Sequence, residues 1–329
     1  MTRIVRLLSH VLPVLALAVI VLGAYVRLSD AGLGCPDWPG CYGRLTVPSA
    51  QANAHLDDPD WHSRPLQAGK AWREMIHRYL ASTLGLGIVV LAGAALRPAA
   101  RRQAGVSAVV PLLVPLVVLQ GLLGMWTVTL LLKPLVVSAH LLGGLATLSL
   151  LWWNLLGVRG LSPITLDCGA LCGVARLALL VLLLQIFLGG WTSANYAALA
   201  CTDFPTCQGQ WWPHTDFREA YVLWRGLGIN YEFGVLDTPA RTAIHVGHRL
   251  GALIAALVIA GTALMAWRSG EPRLRRLASC ILAALALQVS LGITNVLGGV
   301  PLPVAVAHNA VAAVLLLTLI TLVHATRRL

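Results

Sequence analysis

Charged side chains are scarce in this 329-residue chain: they make up 11% of it, with 13 Asp and Glu together and only two lysines, Lys70 and Lys133. A soluble domain carries roughly a quarter of its residues as charged groups, so water is not the solvent for most of this sequence. The shortage of carboxylates also argues against a di-iron bundle, which draws several acids into its core. The net charge of +11 comes almost entirely from arginines that form no helical stripe, so no nucleic acid partner is expected. No P-loop, dinucleotide-binding glycine pattern, Cys-x-x-Cys-His haem attachment or hydrolase elbow occurs in it.

What the chain has instead is apolar length. Hydrophobic residues make up 57% of it and come in blocks of about 20, the length a helix needs to cross a bilayer. The blocks fall at about 8 to 27, 73 to 96, 106 to 130, 135 to 158, 174 to 194, 243 to 267, 277 to 298 and 303 to 325. Eight spans put both termini on one side. With the N-terminus inside, the inner segments carry Arg3, Arg6, Arg97, Arg101, Arg102, Arg159, Arg176, Arg268, Arg273, Arg275, Arg276, Arg327 and Arg328, while the short outer turns hold only Lys133. That is the positive-inside bias. It places the two long loops, about 28 to 72 and 195 to 242, outside. Arg3 and Arg6 ahead of an apolar run imitate a signal peptide. The run is long enough to span, no clear small-residue cleavage site follows it, and it has a counterpart in the second half, so it is expected to stay as the first helix. A bacterial plasma membrane is the simplest home, since no Arg/Ser-rich presequence stands ahead of it.

The halves repeat. Cys35-Pro-Asp-Trp-Pro-Gly-Cys41 matches Cys201-Thr-Asp-Phe-Pro-Thr-Cys207 at an offset of 166, and His77-Arg78 matches His248-Arg249 at 171. Gln120-Gly-Leu-Leu-Gly-Met-Trp-Thr, with Pro134 and His140 after it, matches Gln288-Val-Ser-Leu-Gly-Ile-Thr-Asn, with Pro303 and His308 after it. Landmarks in one order at near-constant offset mark a tandem duplication. Four helices per repeat, an even number, make the repeats parallel, related by an axis along the membrane normal. The expectation is an all-α integral membrane protein of two four-helix bundles, residues 1–160 and 174–329.

His77, His140, His248 and His308 fall in spans two, four, six and eight, each read as within about one and a half turns of the outer end, roughly 8 Å at 1.5 Å per residue. An ionisable group inside a span is costly and marks function by default, although a lone histidine on an apolar helix is more often a satisfied core residue. Four at one depth, two per repeat, favour function. Two facing imidazoles suit the axial positions of a haem iron without adding net charge to the membrane. Copper or zinc on all four remains an alternative, but the repeat more naturally gives two two-histidine sites. Arg78 and Arg249, each next to a histidine, either pair with haem propionates or snorkel to headgroups. Glu74 is the only acid at the edge of a span, and its counterpart is His245. It either handles protons at a reacting site or is an interfacial acid solvated by headgroups. Cys35 with Cys41, and Cys201 with Cys207, lie outside, where disulfides persist. They are read as loop staples in preference to a redox relay. Cys168, Cys172 and Cys280 lie on the inner side.

These residues resemble the haem A synthases of the CtaA/Cox15 type, which convert haem O to haem A, and most of all the bacterial form with a Cys pair in each half. The likeness covers essentially the whole chain. It is most specific in Gly23-Ala-Tyr-Val-Arg-Leu-Ser-Asp-Ala-Gly-Leu-Gly-Cys35 and on through Cys41, in Glu74-x-x-His77-Arg78, and in His140, His248 and His308. The resemblance implies that His77 and His140 hold the substrate haem O, that His248 and His308 hold a haem b cofactor, that Glu74 is needed for oxidation and that Cys35 and Cys41 are disulfide-bonded. It also implies two successive hydroxylations of the C8 methyl, with loss of water leaving a formyl group. Haem O synthase and cytochrome oxidase assembly factors would be natural partners. The rival readings are a two-haem cytochrome b that only carries electrons, and a haem transporter.

Overall fold

A computed structural model describes residues 2–49, 65–96, 105–164 and 169–327. Arg97, Arg101, Arg102, Arg328 and Cys168, which entered the topology and cysteine readings, lie outside the described residues. Eight helices among those described are long and apolar enough to cross a membrane. They are α1 (Thr2–Leu28), α2 (Ala68–Ala95), α3 (Leu113–Thr129, entered through a 3-10 turn at Val110–Leu112), α4 (Pro134–Val158), α5 (Gly169–Ala194), α6 (Thr238–Arg268), α7 (Pro272–Leu297) and α8 (Leu302–Thr326). No β-strand occurs among the described residues.

The helices begin where backbone donors find a partner or need none. Asp237 accepts from the Ala240 amide ahead of α6, and Glu271 accepts from the Leu274 amide ahead of α7. Proline occupies the first turn of α4, α6, α7 and α8, where its missing N–H is no loss. The helices α2, α5, α6 and α7 start about five residues earlier than the apolar blocks suggest, and at α6 and α7 these caps account for the extension. Hydropathy marks the apolar part of a helix, and polar first turns carry it further out.

In the first half, α1 packs on α2 and α4, and α3 packs on α2 and α4. In the second half, α5 packs on α6 and α8, and α7 on α6 and α8. The halves meet through α1 with α8, α4 with α5, and α4 with α8. One apolar core runs through both halves, including Leu12, Ile88, Leu148, Ile259, Leu274 and Leu319. On the histidine-bearing helices, its outermost members are Leu84 and Leu145, then Ala255 and Ala313, five to seven residues inward of the histidines. Separate small clusters around the two cysteine pairs sit at the opposite end of the molecule. The histidine layer lies between the core and these loop clusters.

Candidate functional site

The two cysteine loops share one design. Cys35 is bonded to Cys41 and Cys201 to Cys207, with Cα atoms 4.9 and 4.8 Å apart. The second cysteine of each pair exchanges backbone hydrogen bonds three residues on, Cys41 with Arg44 and Cys207 with Gln210. The Asp37 carboxylate accepts from the amides of Tyr42 (2.6 Å) and Gly43 (2.8 Å). Asp203 accepts likewise from Gln208 (2.7 Å) and Gly209 (3.0 Å), and also from the Thr206 hydroxyl. That hydroxyl bond, helped by the two amides, holds the Asp203 carboxyl down at about 2.

Both arginines that follow a histidine clamp these loops. Arg78 donates to the carbonyls of Asp37 (2.9 Å), Pro39 (3.3 Å) and Gly40 (2.5 Å), and its other terminal nitrogen meets Glu74 at 2.5 Å. Arg249 donates to Thr206 (2.7 Å), Asp203 (2.8 Å), Pro205 (3.4 Å) and Cys201 (3.4 Å) carbonyls. The loop clamp is a third role for these side chains, beside propionate pairing and headgroup snorkelling. Both guanidiniums spend their terminal nitrogens inside the protein. Glu74 is buried as well, and its second oxygen accepts from the Cys35 amide at 2.9 Å. Of the two alternatives for Glu74, its burial and these bonds go against an acid solvated by headgroups. His245 is buried too, but its Nδ1 pairs with the Ala197 carbonyl at 3.1 Å instead of a loop amide.

The four histidines form two pairs: His77 lies within electrostatic range of His140, and His248 of His308. Among the described residues no group of three or more His, Cys, Asp or Glu is gathered to hold one metal ion, so the four imidazoles do not form a single site. His77 lies nine residues into α2 and His248 ten into α6, while His140 and His308 lie six into α4 and α8. At 1.5 Å per residue these are about 14, 15, 9 and 9 Å. The expected one and a half turns therefore holds for α4 and α8 but is a turn short for α2 and α6, because those helices continue outward under the loops.

Each ring rests against a glycine of the neighbouring helix, a feature the sequence reading missed. A Cβ placed on Gly23 of α1 would lie 2.9 Å from Cε1 of His77, and one on Gly189 of α5 would lie 3.2 Å from Cε1 of His248. Gly124 of α3 stands in the same way against His140 (3.4 Å), and Gly292 of α7 against His308 (3.2 Å). The signal was available, since Gly23 and Gly189 share the offset of the cysteine loops and Gly124 and Gly292 fall in the matched Gln motifs. One turn inward of three of these glycines stand Gln120, Gln185 and Gln288. Gln185 Nε2 lies 3.0 Å from Nδ1 of His248, and Gln288 Nε2 lies 3.2 Å from Nε2 of His308. The α1 position matching Gln185 is Val19. Nδ1 of His77, His140 and His308 is buried without a hydrogen-bond partner. Buried polar nitrogens that stay unpaired are rare and point to a ligand or special function. Four half-buried imidazoles, each given room by a glycine, are a donor set that fits two bis-imidazole haem sites.

A family model described as COX15-CtaA, cytochrome oxidase assembly protein, matches residues 6–320. Over 94% of its length the chain is 45% identical to the heme A synthase of Shewanella oneidensis, covering 92% of that protein. It is 31% identical to the heme A synthase of Paracoccus denitrificans over 96% of the chain and 86% of that protein. The heme A synthase of Caulobacter vibrioides is 28% identical over 96% of the chain and 94% of its own length.

Proposed function

The chain belongs to the COX15-CtaA family of cytochrome oxidase assembly proteins, and from that premise we propose that it is the oxidoreductase that converts haem O to haem A, oxidising the C8 methyl to a formyl group by successive hydroxylations. The observation that carries the reading is the pair of two-histidine sites, one per half, each ring seated on a glycine and lying outward of a closed apolar core. The proposed halves are residues 1–160, where His77 and His140 take the substrate haem O, and 174–329, where His248 and His308 take a haem b. Helices α1–α4 and α5–α8 then correspond as two parallel bundles about an axis along the membrane normal. Their matching neighbour relations support this reading, α1 with α8 answering α5 with α4. The protein would lie in a bacterial inner membrane with its termini inside and its cysteine loops outside, as the arginine distribution favours.

Bound haem supplies the iron-centred redox and oxygen chemistry. The chain's own part is to orient and to handle protons. Glu74 lies three residues before His77 on α2, its two oxygens fixed by Arg78 and the Cys35 amide. A carboxylate so oriented, one turn from a ligand, can hold or move a proton at the reacting edge. In the second half His245 stands in its place and bonds a carbonyl, which suits a haem that stays. The electron-carrier reading draws support from the clamp that Glu74 forms with Arg78, because that contact gives the acid a structural duty. Expression of the full chain in a host that makes haem O but no haem A, followed by haem extraction, separates the two. Haem A in the extract is expected. A well-expressed protein carrying haem b alone would overturn the synthase reading in favour of the carrier.

A further inference from the structure

Arg78 and Arg249 turn their terminal nitrogens to loop carbonyls, which leaves Arg249 only its unpaired Nε; a third arginine has the position and an unused donor for an anion. Arg27 lies on α1 four residues after Gly23, so it shares the face that meets His77, one turn nearer the loops. Its Nη2 donates to the Ser193 carbonyl of α5 at 2.6 Å. Ser193 stands four residues after Gly189, which meets His248. The guanidinium therefore sits at the seam between the halves, one turn from both histidine layers. It lies 4.3 Å from the centre of the Tyr196 ring. Its acidic neighbour is Asp30, 3.9 Å away and itself substantially exposed. Arg27 Nε and the Tyr196 hydroxyl are both buried with no hydrogen-bond partner. A buried charged donor left unpaired is costly, and a guanidinium Nε together with the hydroxyl of the ring it packs on are two donors that a carboxylate can accept from. The α5 residue matching Arg27 is Ser193 itself, so the seam holds one such cation, not two.

We propose that Arg27 and Tyr196 form a carboxylate seat at the seam between the halves, taking a propionate of a haem held by the histidines one turn away. The inference rests on the haem-binding reading above and names the contact that anchors the porphyrin's acidic edge. The full-length protein, purified in detergent and stripped of haem, is titrated with ferric protoporphyrin IX and with its dimethyl ester, which keeps the iron and ring but has no carboxylate. Wild type should favour the diacid by roughly tenfold or more, the scale of a charge-assisted pair. Arg27→Gln and Tyr196→Phe should each remove much of that preference. The Phe variant keeps the ring against Arg27, so it separates the hydroxyl from the packing. Loss of preference when Arg27→Gln is placed in a His308→Ala background assigns the propionate to the first half. The same loss in a His77→Ala background assigns it to the second. Variants that are less stable to heat but keep the wild-type preference would show a purely structural seam and overturn the seat. Wild-type binding of both porphyrins without preference would overturn the seat alone, whereas binding of neither would overturn the haem reading with it.

Discussion

At the scale of single residues, the glycines against the histidine rings make the sharpest test of the site. A helix-interior Gly→Ala change is ordinarily favourable by about 0.5–1 kcal/mol where the methyl has room, and Gly93 has open space around its Cβ position. At Gly23 the same methyl would lie 2.9 Å from Cε1 of His77, closer than van der Waals contact allows, so the ring must turn. Gly23→Ala should therefore convert the first-half haem signal partly from low-spin to high-spin while Gly93→Ala leaves the spectrum unchanged. Visible absorption and electron paramagnetic resonance read the difference, and equal spectra would dissociate His77 from iron. Glu74 separates stability from chemistry in the same way. Glu74→Ala strips a partner from a buried pair with Arg78 and should cost about 3 kcal/mol by thermal unfolding. Glu74→Gln keeps an acceptor for the Cys35 amide, so it should cost far less yet still abolish haem A production. A Gln variant with full haem A yield would leave the acid a structural role only. The histidines were legible in the sequence because an ionisable residue in a span is conspicuous. The arginine clamps were not, since what a guanidinium meets depends on the path of a loop that composition does not fix.

At the scale of elements, the two cysteine loops came through the sequence most clearly, because their Pro, Gly, Asp and Cys positions specify a turn directly. The ends of α2 and α6 did not, because capping by Asp237 and the interfacial first turns carry no hydropathy signal. The duplicated loop also makes a pH prediction. Asp203 has its folded value held down at about 2 against an ordinary 3.8, chiefly by the Thr206 hydroxyl. A depressed carboxylate contributes stability above its unfolded value and loses it as pH falls through the folded one. Amide exchange at Gln208 and Gly209 should thus be unaffected by pH-linked opening above about pH 4, and opening should set in as pH falls from about 4 toward 2. Asp203→Asn should remove that onset, with exchange corrected for its intrinsic pH dependence. The disulfides predict a simpler result: thiol labelling of unreduced, denatured protein should miss Cys35, Cys41, Cys201 and Cys207 while reaching Cys172 and Cys280.

At the scale of the whole molecule, the duplication was readable as an offset, but the way one half reaches over the other was not. Lys133 enters the sequence reading only as the one cation of the short turns expected outside. In the fold it is buried at the α3–α4 turn, its ammonium 3.7 Å from the centre of the Trp224 ring and bonded to the Gly226 carbonyl. Burial pulls its ammonium below the ordinary lysine range. The Tyr231 amide donates to the Leu131 carbonyl at 3.0 Å in the same place. The second long loop is thereby fastened across the entrance to α4, six residues from His140. A desolvated cation–π contact is worth about 2 kcal/mol, and its loss falls on the loop and not on the eight-helix core, which contributes none of these contacts. Lys133→Ala should therefore raise hydrogen exchange across residues 222–234 by about tenfold or more while leaving exchange in α6 and α8 near wild type. Fast exchange spreading through both halves would instead mean that the loop is part of what holds the bundles together, and unchanged exchange would mean that the Tyr231 bond fastens it without help from the lysine.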